Sequence, residues 1–127
     1  MDPYQQIAKK LGECTSLDEL TEGLEHLLNG GYGVWKDGEL YSIRQLVSRV
    51  NGLKIEIYSN EHSPPHFHVK GGDIDASFSI VDCALIAGKI SGRERKLIEW
   101  WHSNGKQSLV NVWNSTRPTD CSVGPIK

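Results

Sequence analysis

His66-Phe67-His68-Val69-Lys70-Gly71-Gly72-Asp73-Ile74-Asp75-Ala76-Ser77-Phe78-Ser79-Ile80 carries two runs of alternating polar and apolar residues about a pair of glycines. Phe67 and Val69 alternate with His66, His68 and Lys70. Beyond Gly71-Gly72, Ile74, Ala76, Phe78 and Ile80 alternate with Asp73, Asp75, Ser77 and Ser79. A period of two with one apolar face predicts an antiparallel hairpin half-buried against a core, with Gly71-Gly72 as its two-residue turn. That turn pairs Lys70 with Asp73, His68 with Asp75 and His66 with Ser77, and all six share one face. Upstream, Leu53, Ile55 and Ile57 alternate with Lys54, Glu56 and Tyr58, so a third strand precedes the hairpin and a β-meander is expected.

Outward from the meander the period changes to that of helices. Asp2-Pro3 is a helix start, Tyr4, Ile7, Ala8 and Leu11 share a face, and Gly12 ends the run. Ser16-Leu17-Asp18-Glu19 is a capping box opening a second helix, whose Leu17, Leu20, Leu24, Leu27 and Leu28 turn inward before Asn29-Gly30-Gly31. Asp37-Gly38 sits between two short apolar runs as a hairpin turn. Ser42-Ile43-Arg44-Gln45 predicts a third helix closing at Asn51-Gly52. After the meander, Ser91-Gly92-Arg93-Glu94 starts a late helix, and Gly105 is expected to divide it from a second short helix holding Leu109, Val112 and Trp113. The expected class is α+β, a small antiparallel β-meander packed with helices and extended by an N-terminal helical hairpin. Residues 1–51 form that extension, 52–114 the core and 115–127 an irregular tail, in a single folding unit.

A chain of 127 residues has room for one core, and 38% hydrophobic with 24% charged residues is a globular balance rather than a disordered one. Formal charge of -2 gives no long-range attraction to nucleic acid or an anionic membrane. The basic run Arg93, Arg95 and Lys96 is interleaved with Glu94 and Glu99 and reads as a solvated helix face. No apolar run is long enough to span a bilayer and the first residues lack the blocks of a signal peptide, so a cytoplasmic protein without a membrane partner is expected. Cys14, Cys83 and Cys121 lie far apart, which argues against a disulfide framework and a thiolate metal site.

The chemistry concentrates in Glu61-His62-Ser63-Pro64-Pro65-His66-Phe67-His68, which holds three of the five histidines. Histidines at i and i+2 of a strand bring two imidazoles near a common point, as two ligands of a divalent, zinc-like transition metal would stand. His62 or Glu61 can supply a third ligand from the proline-stiffened loop, and Asp75 opposite His68 can ligate or orient the imidazole. The metal set is therefore His62, His66 and His68. The same face can also work without metal: an imidazole titrates near neutral pH, and Lys70 or Lys54 can stabilise a phosphorane-like anion. Glu61, His66, His68, Lys70 and Asp75 are the catalytic candidates. Trp100, Trp101 and Trp113 read as packing, and His26 and His102 as surface or edge residues.

The stretch from Glu61 to Val69 resembles the bacterial family called domain of unknown function 4160, whose signature is Glu-His-x-Pro-Pro-His-Phe-His after a strand, and the resemblance runs from about Gly52 to Trp113. It implies a small prokaryotic protein encoded beside another small protein and counted among toxin-antitoxin candidates. It points to Glu61, His62, Pro64, Pro65, His66 and His68 and implies no particular reaction. Two functions stand as expectations. One is a component of a toxin-antitoxin-like or defence module whose His-lined site binds metal or attacks a phosphodiester such as RNA. The other is a non-catalytic antitoxin or immunity-type module that binds a small cognate protein through its acidic face and N-terminal helices.

Overall fold

Asp2 caps the first helix as expected: its carboxylate accepts from the Gln5 amide at 2.8 Å, while Gln5 Oε1 accepts from the Asp2 amide at 3.0 Å. This reciprocal box and Pro3 start α1 (Pro3–Gly12). Ser16 is the N-cap of α2 (Leu17–Asn29), its hydroxyl taking the Glu19 amide at 3.2 Å, while Glu19 Oε1 accepts from the Thr15 amide at 3.3 Å rather than from the Ser16 amide. The chain then forms β1 (Tyr32–Val34) and β2 (Leu40–Ser42), an antiparallel hairpin of its own, and after it β3 (Lys54–Glu56), β4 (His66–Gly71), β5 (Ile74–Ser79) and β6 (Leu85–Lys89) in a second sheet of order β3-β4-β5-β6. It closes with α3 (Gly92–Thr116). The structure, a computed structural model, describes residues 2–42, 52–57 and 65–116. The helix expected over Ile43–Val50, the Glu61-to-Pro64 part of the histidine stretch and the tail beyond residue 116 lie outside them. The architecture is α+β, with antiparallel sheets and an N-terminal helical pair. Among the described residues no helix is long and apolar enough to cross a membrane.

The β4–β5 turn lies one residue further along than expected. Gly71 still pairs, with Ile74, and the loop is Gly72-Asp73, with φ of 55° at Gly72, a left-handed value that suits glycine at the first loop position of a type II′ turn. Moving a turn by one residue moves every partner by two: Lys70 faces Asp75, His68 faces Ser77 and His66 faces Ser79. A shift of two preserves the faces, so the histidines stay off the core side. The observed register sets Phe67 against Phe78, rings stacked with centroids 5.5 Å apart.

The late helix is continuous through Gly105, contrary to the expected division. Gly105 is buried beside α2, where an added Cβ would stand 3.1 Å from Leu20 Cδ2. A mid-helix glycine costs about 1 kcal/mol against alanine, and the close approach of α2 to α3 outweighs that. Helix α3 is covered on two sides. Trp101 Nε1 donates to Leu20 O of α2 at 2.9 Å, while its ring packs on Phe67 of β4 at 5.5 Å. Ser108 Oγ donates to Leu11 O of α1 at 3.3 Å. Trp101 and Trp113 are core residues, as expected of them; Trp100 is half-buried. Arg93, expected in solvent, is instead half-buried and donates to Tyr32 O at 3.0 Å and Leu28 O at 3.3 Å, capping the end of α2 with charge-assisted bonds.

His102 also departs from the expected surface position. It is 6% exposed, its ring lies parallel to Phe67, and Nε2–H donates to Ile80 O. The Ile80 amide in turn donates to Pro65 O at 3.0 Å, so the open end of the β4–β5 hairpin is tied to α3 through one imidazole. Burial disfavours the imidazolium and lowers the His102 pKa; the Ile80 bond opposes that, and nearby Lys106 adds to it. A lowered folded-state value means that below about pH 6.5 the unfolded chain takes up a proton the folded one refuses, so stability present above that pH is lost as pH falls. Urea unfolding at about pH 7.5 and about pH 5 should show this loss, at no more than about 1.4 kcal/mol per pH unit, and His102→Gln, which keeps a donor but does not titrate, should lose less on acidification than the native chain.

Candidate functional site

Alternation along β3, β4 and β5 gives the second sheet a polar face opposite the core. Across the strands Lys54, Lys70, Asp75 and Lys89 form one row; Glu56, His68, Ser77 and Ala87 form the next; His66 and Ser79 follow. The core face opposite is Ile55, Phe67, Val69, Ala76 and Phe78, all buried. The two histidines therefore stand on the outer side of strand positions whose neighbours anchor the sheet.

Side-chain contacts turn the second row into a constellation. Ser77 Oγ and His68 Nδ1 are hydrogen-bonded at 2.8 Å. The His66 and His68 rings meet edge to face with centroids 5.0 Å apart. Lys70 Nζ is 3.3 Å from Glu56 Oε1, an ion pair in which the carboxylate is the better-shielded partner. The expected orienting group, Asp75, is exposed and lies across from Lys70, because the turn displacement carries it out of the His68 position. Glu56 and Ser77 take the places that the sequence reading gave to Asp75. Glu56 is, with Lys54, an outward residue of β3, and Ser77 becomes the partner of His68 once the loop is set at Gly72-Asp73.

Exposure separates the roles. Ser77 is only 8% exposed, so its hydroxyl is shielded from a substrate and serves to hold the ring of the half-buried His68. A hydroxyl can donate to or accept from Nδ1, so Ser77 holds the ring in either tautomer and sets the direction of the other nitrogen, whether that nitrogen is to move a proton or bind a metal. Of the expected metal set, His66 and His68 are brought together; His62, and Glu61 with it, lie outside the described residues. Among the described residues no group of three or more His, Cys, Asp or Glu side chains is placed to hold a metal ion. Among the described residues the cysteines, Cys14 and Cys83, offer no competing nucleophile there. Burial pushes the Cys83 thiol up to about 12, and burial followed by Glu19 and Glu22 raises Cys14.

A family model described as domain of unknown function (DUF4160) matches residues 52–114. No curated protein and no solved structure matches the chain. The matched segment holds β3 to β6 and nearly all of α3, so the whole polar face lies inside it. If Ser77 orients His68, Ser77→Ala should cost about 0.5–1.5 kcal/mol of stability, the net worth of one hydrogen bond. Imidazole 15N spectra should show the His68 Nδ1 resonance moving in that variant while the His102 resonances stay in place.

Proposed function

The chain belongs through residues 52–114 to the family of the domain of unknown function DUF4160, and from that premise we propose that its polar sheet face is an acid–base site for phosphodiester cleavage. The observation that carries the reading is His68, fixed by Ser77 at 2.8 Å with the His66 ring 5.0 Å away. One imidazole takes the proton of the attacking hydroxyl or water as its oxygen bonds to phosphorus. The other gives a proton to the oxygen that leaves as the second phosphorus–oxygen bond breaks. Lys54 and Lys70, partners in the neighbouring row, are the cations that would stabilise charge developing on the phosphoryl oxygens. RNA is the substrate class, since its own 2′-hydroxyl can be the attacking group. The resemblance of the histidine stretch extends the reading to a cytoplasmic component of a bacterial toxin-antitoxin-like or defence module.

A second reading puts a divalent transition metal on His66 and His68, with Glu61 or His62 completing the set. The 5.0 Å spacing of the two rings supports it, and Ser77 would then be the outer partner that aims one ligand. Cleavage of a short fluorogenic oligoribonucleotide, with and without chelator, tests both. Loss of at least about 100-fold in His66→Ala and His68→Ala, the lower range for one acid–base group, with no effect of chelator supports the metal-free site. Loss with chelator, matched by stoichiometric metal in the native protein that the double variant lacks, supports the metal site. Full activity in the double variant, or none in the native chain, defeats both and leaves the non-catalytic binding module.

A further inference from the structure

Among the described residues Trp35 is the most exposed of the large hydrophobics, at 59%; it follows β1, in a sheet separate from the one that carries the histidine face. It is nonetheless held firmly. Its amide donates to Glu39 O at 2.8 Å and its carbonyl accepts from the Gly38 amide at 2.9 Å, closing the hairpin turn. Its indole stacks on Tyr41 of β2, with centroids 4.3 Å apart and planes 29° apart. One face of the indole is thus covered, and the side chain borders a groove of about 240 Å³ between this hairpin and α3. The groove is lined further by half-buried Trp100 and by Lys36, Lys96 and Glu99. Glu99 Oε1 is 3.4 Å from Arg95 Nε, so its charge is already countered on the helix surface.

An indole kept more than half exposed and stacked on Tyr41 forgoes the apolar burial that a core position would give it. The groove is smaller than the roughly 300 Å³ at which sites for drug-sized molecules begin, so it suits one planar ring and not a folded ligand. Two ammonium groups flank two indoles, and an aromatic platform with cations beside it is how single strands are gripped without regard to sequence. We propose that this groove binds single-stranded nucleic acid, one base stacking on Trp35 toward Trp100 while Lys36 and Lys96 take the flanking phosphates. The site is separate from the histidine face and does not require that face to be catalytic.

The test is fluorescence anisotropy with a labelled single-stranded oligodeoxythymidylate at low salt, which a 2′-hydroxyl-dependent nuclease leaves intact. Trp35→Ala should weaken binding by about 5- to 150-fold, the effect of losing one stacked base, while Trp35→Phe retains most of it. The double variant Lys36→Ala, Lys96→Ala should flatten the slope of log K against log salt by about 1.4. In the His66→Ala, His68→Ala background Trp35→Ala should still weaken binding by that factor, which separates this site from the proposed cleavage site. Equal affinity of Trp35→Ala and native protein would overturn the proposal. So would preference for a duplex over the single strand, or binding of the native protein to anionic vesicles but not to the oligonucleotide.

Discussion

Phe67 carries the arrangement on which the polar face depends. Its ring is fully buried, stacked on Phe78 within the sheet and packed on Trp101 and His102 of α3. Because successive strand residues point to opposite sides, fixing Phe67 inward fixes His66 and His68 outward. Trp101 then passes the constraint on to α2 through Leu20, and His102 ties the open end of the hairpin through Ile80. A face that must hold two imidazoles in a set relation needs a sheet that neither slides nor twists, and this buried aromatic cluster on α3 supplies it.

Much of this was legible in the residues. Helix starts at Asp2 and Ser16 followed from local capping chemistry, and the two faces of β4 and β5 followed from strict alternation. What escaped did so for reasons of tertiary contact. Two adjacent glycines offered two places for the turn, and the stacking of Phe67 on Phe78 goes with the one observed. Gly105 looks like a break until α2 is seen against it. Strand β6 shows no alternation to read, since it carries a bulge opposite Ser77/Phe78 and Gly88 with φ of 91°, where a side chain would strike Asp75 O. His102 and Arg93 look like surface residues in sequence because each partner, a backbone carbonyl, lies far away along the chain.

The candidate site was half legible. His66 and His68 were chosen correctly as neighbours on one face, since any even displacement of the register leaves them there. Their partners were not, because a displacement of two exchanges Asp75 for Ser77 behind His68. The difference matters chemically. A carboxylate at that position would stabilise an imidazolium, whereas a buried hydroxyl orients the ring without adding charge. In the row of His68 negative charge comes instead from Glu56, already joined to Lys70. The family segment contains all of these groups, while Trp35 and Lys36 belong to the N-terminal part that precedes it.

His66 and His68, as one site, should meet a phosphodiester together. Imidazole-ring NMR during titration with a non-cleavable deoxydinucleotide tests it most directly. The His66 and His68 ring signals are expected to move together and saturate at one concentration, with His102, on the buried side of the sheet, unmoved. Signals of the two histidines that do not move, or that shift without saturation and no more than those of exposed His26, would contradict it.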